Sequence, residues 1–164
     1  MVATVTVTTT ITITATTTTT DRPVATLFAP PLYVERMTTD RNVFGTELEP
    51  CSTDPETGFL RDGCCRDLEG DRGRHEVCAV MTEEFLEFSR RRGNDLVTPR
   101  PEFSFPGLEA GDRWCLCLAR WIEAVEADCG PPVVLEATNE AVLDEVDPDT
   151  LRDHEYGRER WRCG

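Results

Sequence analysis

The stretch that decides the fold is His75-Glu-Val-Cys-Ala-Val-Met81 followed at once by Thr82-Glu-Glu-Phe-Leu-Glu-Phe-Ser-Arg-Arg-Arg92-Gly93. The first seven residues are a short apolar run of strand length. The second run is punctuated as a helix. Thr82 stands at the N-cap, Glu83 and Glu84 sit at the positive end of the helix dipole, and Arg90 to Arg92 at the negative end. Gly93 closes it as a C′ residue. Phe85, Leu86 and Phe88 supply the buried face.

The same grammar recurs downstream. Arg113-Trp-Cys-Leu-Cys-Leu-Ala119 is a second apolar run, followed by a helix over residues 120–128 that ends near Gly130-Pro-Pro. One continuous helix from Trp114 would also align Trp114, Cys117 and Trp121. The glycines at 107 and 111 and the parallel with the first unit favour strand then helix. Val133-Val-Leu-Glu-Ala137 is the third apolar run, with Thr138 as N-cap of a helix carrying Val142, Leu143 and Val146. Asp147-Pro148 starts a last short helix, with Leu151 facing inward. Repeated strand–helix alternation predicts a loop-rich, single-domain α+β fold with a small mixed sheet packed against helices.

Of the 164 residues, 31 are acidic and 17 basic, a net charge of -14 with pI about 4.5; every basic residue is Arg, and Lys and Gln are absent. The acid excess reads as adaptation to a salt-rich cytoplasm; the Arg usage also fits a GC-rich genome. Such a surface excludes nucleic acid and anionic membranes as partners. No secretory signal and no membrane-spanning apolar run is visible. The expected location is therefore cytoplasmic, with thiols reduced by default.

Residues 1–20 contain twelve Thr and no charge, and residues 21–36 add three Pro. Residues 1–36 read as a disordered leader with translation starting at Met37, ahead of a domain over 37–157 and a frayed tail over 158–164. An intact mass matching all 164 residues would overturn the late start.

The chemistry resides in eight cysteines. On a strand Cys115 and Cys117 share one face, and Cys64-Cys65 lies in a glycine-flanked loop. A metal site from Cys64, Cys65, Cys115 and Cys117 suits zinc or another soft ion, although the spacing is not that of zinc ribbons. Cys64, Cys65 and His75 are also candidates for a thiol nucleophile and its base. The plain alternative is that cysteines fill the core as small hydrophobes, and Cys78 and Cys117 read that way. Cys51 stays undecided, and Cys129 and Cys163 receive no role. Between Arg92 and Glu102, Asn94, Asp95 and Arg100 are candidates to hold a small polar or anionic ligand, with Arg100 as the fork; the alternative is that Asn94 and Asp95 cap the helix and Arg100 pairs with a carboxylate. Glu136, at the end of an apolar run, is a further ligand candidate.

The segments Asp62-Gly-Cys-Cys65, Val77 to Ser89, Arg92-Gly-Asn-Asp-Leu96, Thr98-Pro-Arg-Pro-Glu102, Phe105-Pro-Gly107 and Gly111-Asp-Arg-Trp-Cys-Leu-Cys117 together resemble a family known as domain of unknown function 2237. The resemblance extends over residues 42–155 and begins close to Met37. It implies no particular activity. Where similar sequences read Ala-Thr-His-Glu, this chain reads Ala137-Thr-Asn-Glu140, which argues against a mechanism needing a His there. Three functions stand side by side: a thiol-based metal or small-ligand binding protein centred on Cys64-Cys65, an enzyme with a Cys nucleophile and His75 as base, and a non-catalytic interaction module.

Overall fold

Val77–Val80 (β1) and Arg113–Leu116 (β2) form a two-stranded antiparallel sheet in which Val77 pairs with Leu116, Cys78 with Cys115, Ala79 with Trp114 and Val80 with Arg113. The computed structural model describes residues 40–157. The leader, the Met37 start and the tail with Cys163 lie outside the described residues.

The period-2 alternation of the strands divides the sheet into two faces. Val77, Ala79, Trp114 and Leu116 join the apolar core with Phe85 and Trp121. Cys78 and Cys115 point the other way, into a smaller buried cluster with Cys51, Cys65 and Ala137. A two-stranded sheet is marginal alone; here both faces are covered. Residues 132–134 also run alongside β1, with the Val80 N–H donating to the Pro132 carbonyl and the Val134 N–H to that of Cys78.

Helix α1 (Glu83–Arg91) follows its sequence signals. The Thr82 hydroxyl accepts from the Phe85 N–H at 3.1 Å. At the other end, Gly93 takes φ +83°, and the N–H groups of Gly93 and Asn94 donate back to the Arg90 and Ser89 carbonyls. That pair of bonds is a Schellman closure. Helix α2 (Leu118–Glu126) begins immediately after β2, two residues earlier than its pattern suggests, with Cys117 at its N-cap. It ends in the same closure, with Asp128 at φ +56° supplying the left-handed residue.

The third unit departs from expectation. Residues 133–137 make only isolated strand bridges and a 3-10 turn (Leu135–Ala137), and a second 3-10 turn spans Glu140–Asp144. Thr138 is the N-cap of neither and stands instead at the C-cap of the first. Its buried hydroxyl accepts from the Cys78 N–H and donates to the Val134 carbonyl, so it is consumed in the core. Asn139 caps in its place, accepting from the Ala141 N–H. Val142 and Val146 are buried as expected, whereas Leu143 is exposed. Helix α3 (Pro148–Asp153) has Asp147 as N-cap and Leu151 buried, as its sequence indicates.

Four cysteines are joined in pairs, Cys51–Cys78 and Cys65–Cys115, with sequence separations of 27 and 50. This differs from the reduced state expected of a cytoplasmic chain. The bonds interleave along the sequence and anchor the loops over residues 49–65 to the sheet. Closing loops of these lengths removes about 3–4 kcal/mol of unfolded-state entropy per bond.

Thr82→Ala removes the hydroxyl that accepts from the Phe85 N–H and leaves that N-terminal donor of α1 without its cap. It should lower stability by about 1 kcal/mol, read as a shift in the urea midpoint without a change in slope.

Candidate active site

The register of the two strands has a consequence beyond the core. β1 starts two residues after His75, and β2 stops one residue before Cys117. Because Val77 pairs with Leu116, the strand ends carrying His75 and Cys117 lie side by side. The Cys117 sulfur is 3.1 Å from His75 Nε2. Cys117 leaves the strand with φ -57° and ψ 129° and occupies the N-cap of a nine-residue helix. That places its sulfur at the positive end of the helix dipole.

The loop before β1 is shaped around the imidazole. Asp71 is buried, and its carboxylate accepts from the Gly73 N–H (3.0 Å) and the His75 N–H (2.9 Å) while both oxygens lie 2.9 Å from His75 Nδ1. A carboxylate on Nδ1 orients the ring so that Nε2 addresses the sulfur. Gly73 is required for clearance: a Cβ there would lie 2.6 Å from His75 Cε1 and 3.1 Å from the Cys117 sulfur. Arg74 adopts a left-handed φ of +51°. Two interactions hold it there. Its guanidinium grips both oxygens of buried Glu76, and its carbonyl accepts the Leu118 N–H at 2.9 Å. The second bond ties this loop directly to the start of α2.

Charge follows geometry. The hydrogen bond with Cys117, working against partial burial and aided by the negative charges of Cys117 and Asp71, pushes the His75 pKa up to about 9. For Asp71, burial acts to raise the carboxyl pKa. The hydrogen bonds from the His75 backbone and ring and from Gly73 outweigh it and hold the carboxyl below its ordinary range. Asp71 is thus held as a carboxylate and His75 as an imidazolium beside the Cys117 sulfur.

A cavity of about 350 Å³ opens beside Cys117 and His75, walled by Trp114, Phe103, Arg61 and Arg100. The Arg61 guanidinium sits 5.1 Å above the centre of the Trp114 ring. Phe59 stacks near His75, with ring centroids 6.4 Å apart. The far wall is the loop over residues 94–108, folded back by the Leu108 N–H to Leu96 carbonyl bond and by the Arg100–Phe105 bridge. Gly107, at φ +83°, permits this: a Cβ would lie 2.3 Å from the Val97 carbonyl oxygen. Two further cavities, one beside Asp67 and Glu140 and one beside Phe44 and Leu143, contain neither thiol nor imidazole.

The candidates named from sequence are redistributed. His75, Asn94, Asp95 and Arg100 line one cavity. Asp95 also closes a local turn, accepting from Val97 N–H, Thr98 N–H and the Thr98 hydroxyl. Glu136 is exposed on a 3-10 turn and does not line this cavity. Cys64 and Cys65 do not act as a pair: Cys65 is fully buried and bonded to Cys115. Cys64 is half-buried, and burial first, then the Asp62 charge, pushes its thiol pKa up, opposite to what a nucleophile needs. The sulfurs of Cys64, Cys65, Cys115 and Cys117 do not form one group of metal-ligand size; a group that does is Cys51, Cys65 and Cys78. The strand ends at Leu116, so Cys117 turns away from the face Cys115 occupies. Cys117, read from sequence as a metal ligand or as core filler, and Asp71, not singled out, complete the trio. The available signal was Asp71-x-Gly73-x-His75, a carboxylate four residues before a histidine across a glycine.

The sign of the pH dependence follows from the raised His75 pKa. Stability from the charged imidazole is fully present below about pH 6.5 and is lost as pH rises through about 9. The His75 ring proton resonance should titrate near pH 9 and move toward pH 6.5 in Cys117→Ser. An unchanged midpoint in that variant would remove Cys117 as the partner.

Over residues 41–155 the sequence matches the family described as "Uncharacterized protein conserved in bacteria (DUF2237)". The match takes in every strand and helix described above and the Asp71, His75 and Cys117 trio. No curated protein matches the chain. The chain belongs to the DUF2237 family.

Proposed function

We propose that this protein is a thiol-dependent enzyme acting on a small acyl-type substrate, with Cys117 as nucleophile. The observation that carries this reading is the 3.1 Å contact between the Cys117 sulfur and His75 Nε2, with Nδ1 of the same ring on the buried Asp71 carboxylate. A nucleophile within hydrogen-bond reach of a base that is itself oriented by a third group is the arrangement covalent catalysis needs.

In the proposed reaction the thiolate adds to the substrate carbonyl carbon, and the carbonyl electron pair moves onto oxygen. Collapse expels the leaving group, which takes the proton from His75 Nε2, and a thioester on Cys117 remains. His75, now neutral, takes a proton from water as it attacks the thioester. The acid is released, and the thiolate–imidazolium pair returns. Asp71 holds the ring orientation throughout.

The cavity supports a substrate with a flat apolar portion and a negative charge. Trp114 and Phe103 offer ring faces, and Arg61 and Arg100 offer guanidinium groups for a carboxylate. Among the described residues no helix is long and apolar enough to cross a membrane. The acidic, Lys-free composition favours a cytoplasmic location and a small-molecule rather than nucleic-acid partner.

Iodoacetamide labelling of the native protein, mapped by mass spectrometry, tests the reading directly. Cys117 should be modified well ahead of Cys64 and Cys129, and His75→Ala should slow its labelling roughly tenfold or more. Against aryl esters carrying a carboxylate, Cys117→Ala should abolish turnover, and loss of His75 should cost about 10²–10⁴-fold. Labelling of Cys117 no faster than of Cys64 would overturn the proposal.

A further inference from the structure

The buried cysteine cluster behind the sheet is a separate feature, independent of the Cys117 reaction. Its four sulfurs come from four segments: Cys51 and Cys65 from loops, Cys78 from β1 and Cys115 from β2. Cys78 and Cys115 are direct cross-strand partners, so both side chains leave the same face. The two loops are joined above them, the Cys51 N–H donating to the Gly63 carbonyl at 2.7 Å. All four residues are at most 3% exposed.

Two disulfides need not touch in order to staple a chain. Here they do: the sulfurs of Cys51, Cys65 and Cys78, drawn from both bonds, lie within 4.8 Å of one another, and Cys115 is bonded to Cys65. In a tetrahedral zinc tetrathiolate with Zn–S of about 2.3 Å, neighbouring sulfurs stand about 3.8 Å apart. Once the S–S bonds are opened, the sulfurs of Cys51, Cys65 and Cys78 lie within a space of that size, and the Cys115 sulfur, outside this group of three but next to Cys65, turns toward them to complete the tetrahedron.

We propose that the reduced protein binds one zinc ion, or another soft divalent ion, through Cys51, Cys65, Cys78 and Cys115. Two equivalents of a dithiol reductant deliver four electrons and four protons, converting the two disulfides into four thiols and leaving two oxidised reductant molecules. The divalent ion then displaces the four thiol protons. The same four segments stay tied together, so the fold keeps its cross-link in a reducing compartment, where the disulfides would be lost. β2 carries Cys115 and ends next to Cys117, so the staple also holds the strand that positions the nucleophile.

The test uses the full chain, reduced with a phosphine under anaerobic conditions, freed of reductant and titrated with Co²⁺. One cobalt per chain should bind, with a thiolate-to-cobalt charge-transfer band and the d–d bands of a tetrahedral site, and Zn²⁺ should displace it. Cys64→Ser and Cys117→Ser should titrate as wild type, whereas Cys78→Ser should weaken binding by more than about tenfold. Because that variant also loses a staple, zinc-loaded wild type supplies a second readout. Maleimide should then label Cys64 and Cys117 but spare Cys51, Cys65, Cys78 and Cys115. Absence of stoichiometric cobalt, binding lost in Cys117→Ser but kept in Cys78→Ser, or no protection of the four thiols would each overturn the proposal. None of these outcomes depends on ester turnover, so this site and the Cys117 reaction stand or fall separately.

Discussion

The antiparallel pairing of β1 with β2 in one register is the constraint on which the rest depends. It sets Cys78 opposite Cys115 and Val77 opposite Leu116. The first pair commits one face of the sheet to sulfur. The second brings the residues just outside the strands, His75 and Cys117, to hydrogen-bond distance although they are 42 apart in sequence. A slip of one residue would turn every strand side chain to the opposite face and separate the thiol from the imidazole. The apolar core opposes such a slip, because Val77, Ala79, Trp114 and Leu116 share the one buried apolar face.

Around this pair the chain spends buried polar groups on orientation. Glu76 is fully buried between the Asp71–His75 loop and β1, and the Arg74 guanidinium meets both of its oxygens while also reaching the Ala141 carbonyl. A buried ion pair of this kind adds little net stability. What it supplies is position: it holds the left-handed Arg74, whose carbonyl in turn receives the first N–H of α2. The loop carrying Asp71 and His75 and the helix carrying Cys117 at its cap are thereby one mechanical unit. Gly73 and Gly107 make complementary contributions, each leaving space that a methyl group would fill, one against the trio and one behind the cavity wall.

Much of the fold was legible locally. Thr82, the acidic first turn and Gly93 marked α1, and Asp147-Pro148 marked α3, because caps act within a few residues and tertiary packing did not override them. The third unit misled because Thr138 carries a cap-like side chain that a non-local partner, the Cys78 N–H, claims first. The sulfur chemistry failed for the same reason. Cys64-Cys65 looked like a pair because the residues are adjacent, yet one is sealed against Cys115 and the other is left half-buried beside Asp62.

By itself the sequence determined the secondary-structure grammar, the acidic surface, the importance of thiols and the candidacy of His75, all of which follow from residue type and short-range spacing. Only the tertiary structure decided which sulfur meets which partner. A thiol's role depends on what lies within about 3–5 Å of it, and for Cys117 and the four bonded cysteines that neighbour is contributed by a distant part of the chain, through a strand register that no local pattern encodes.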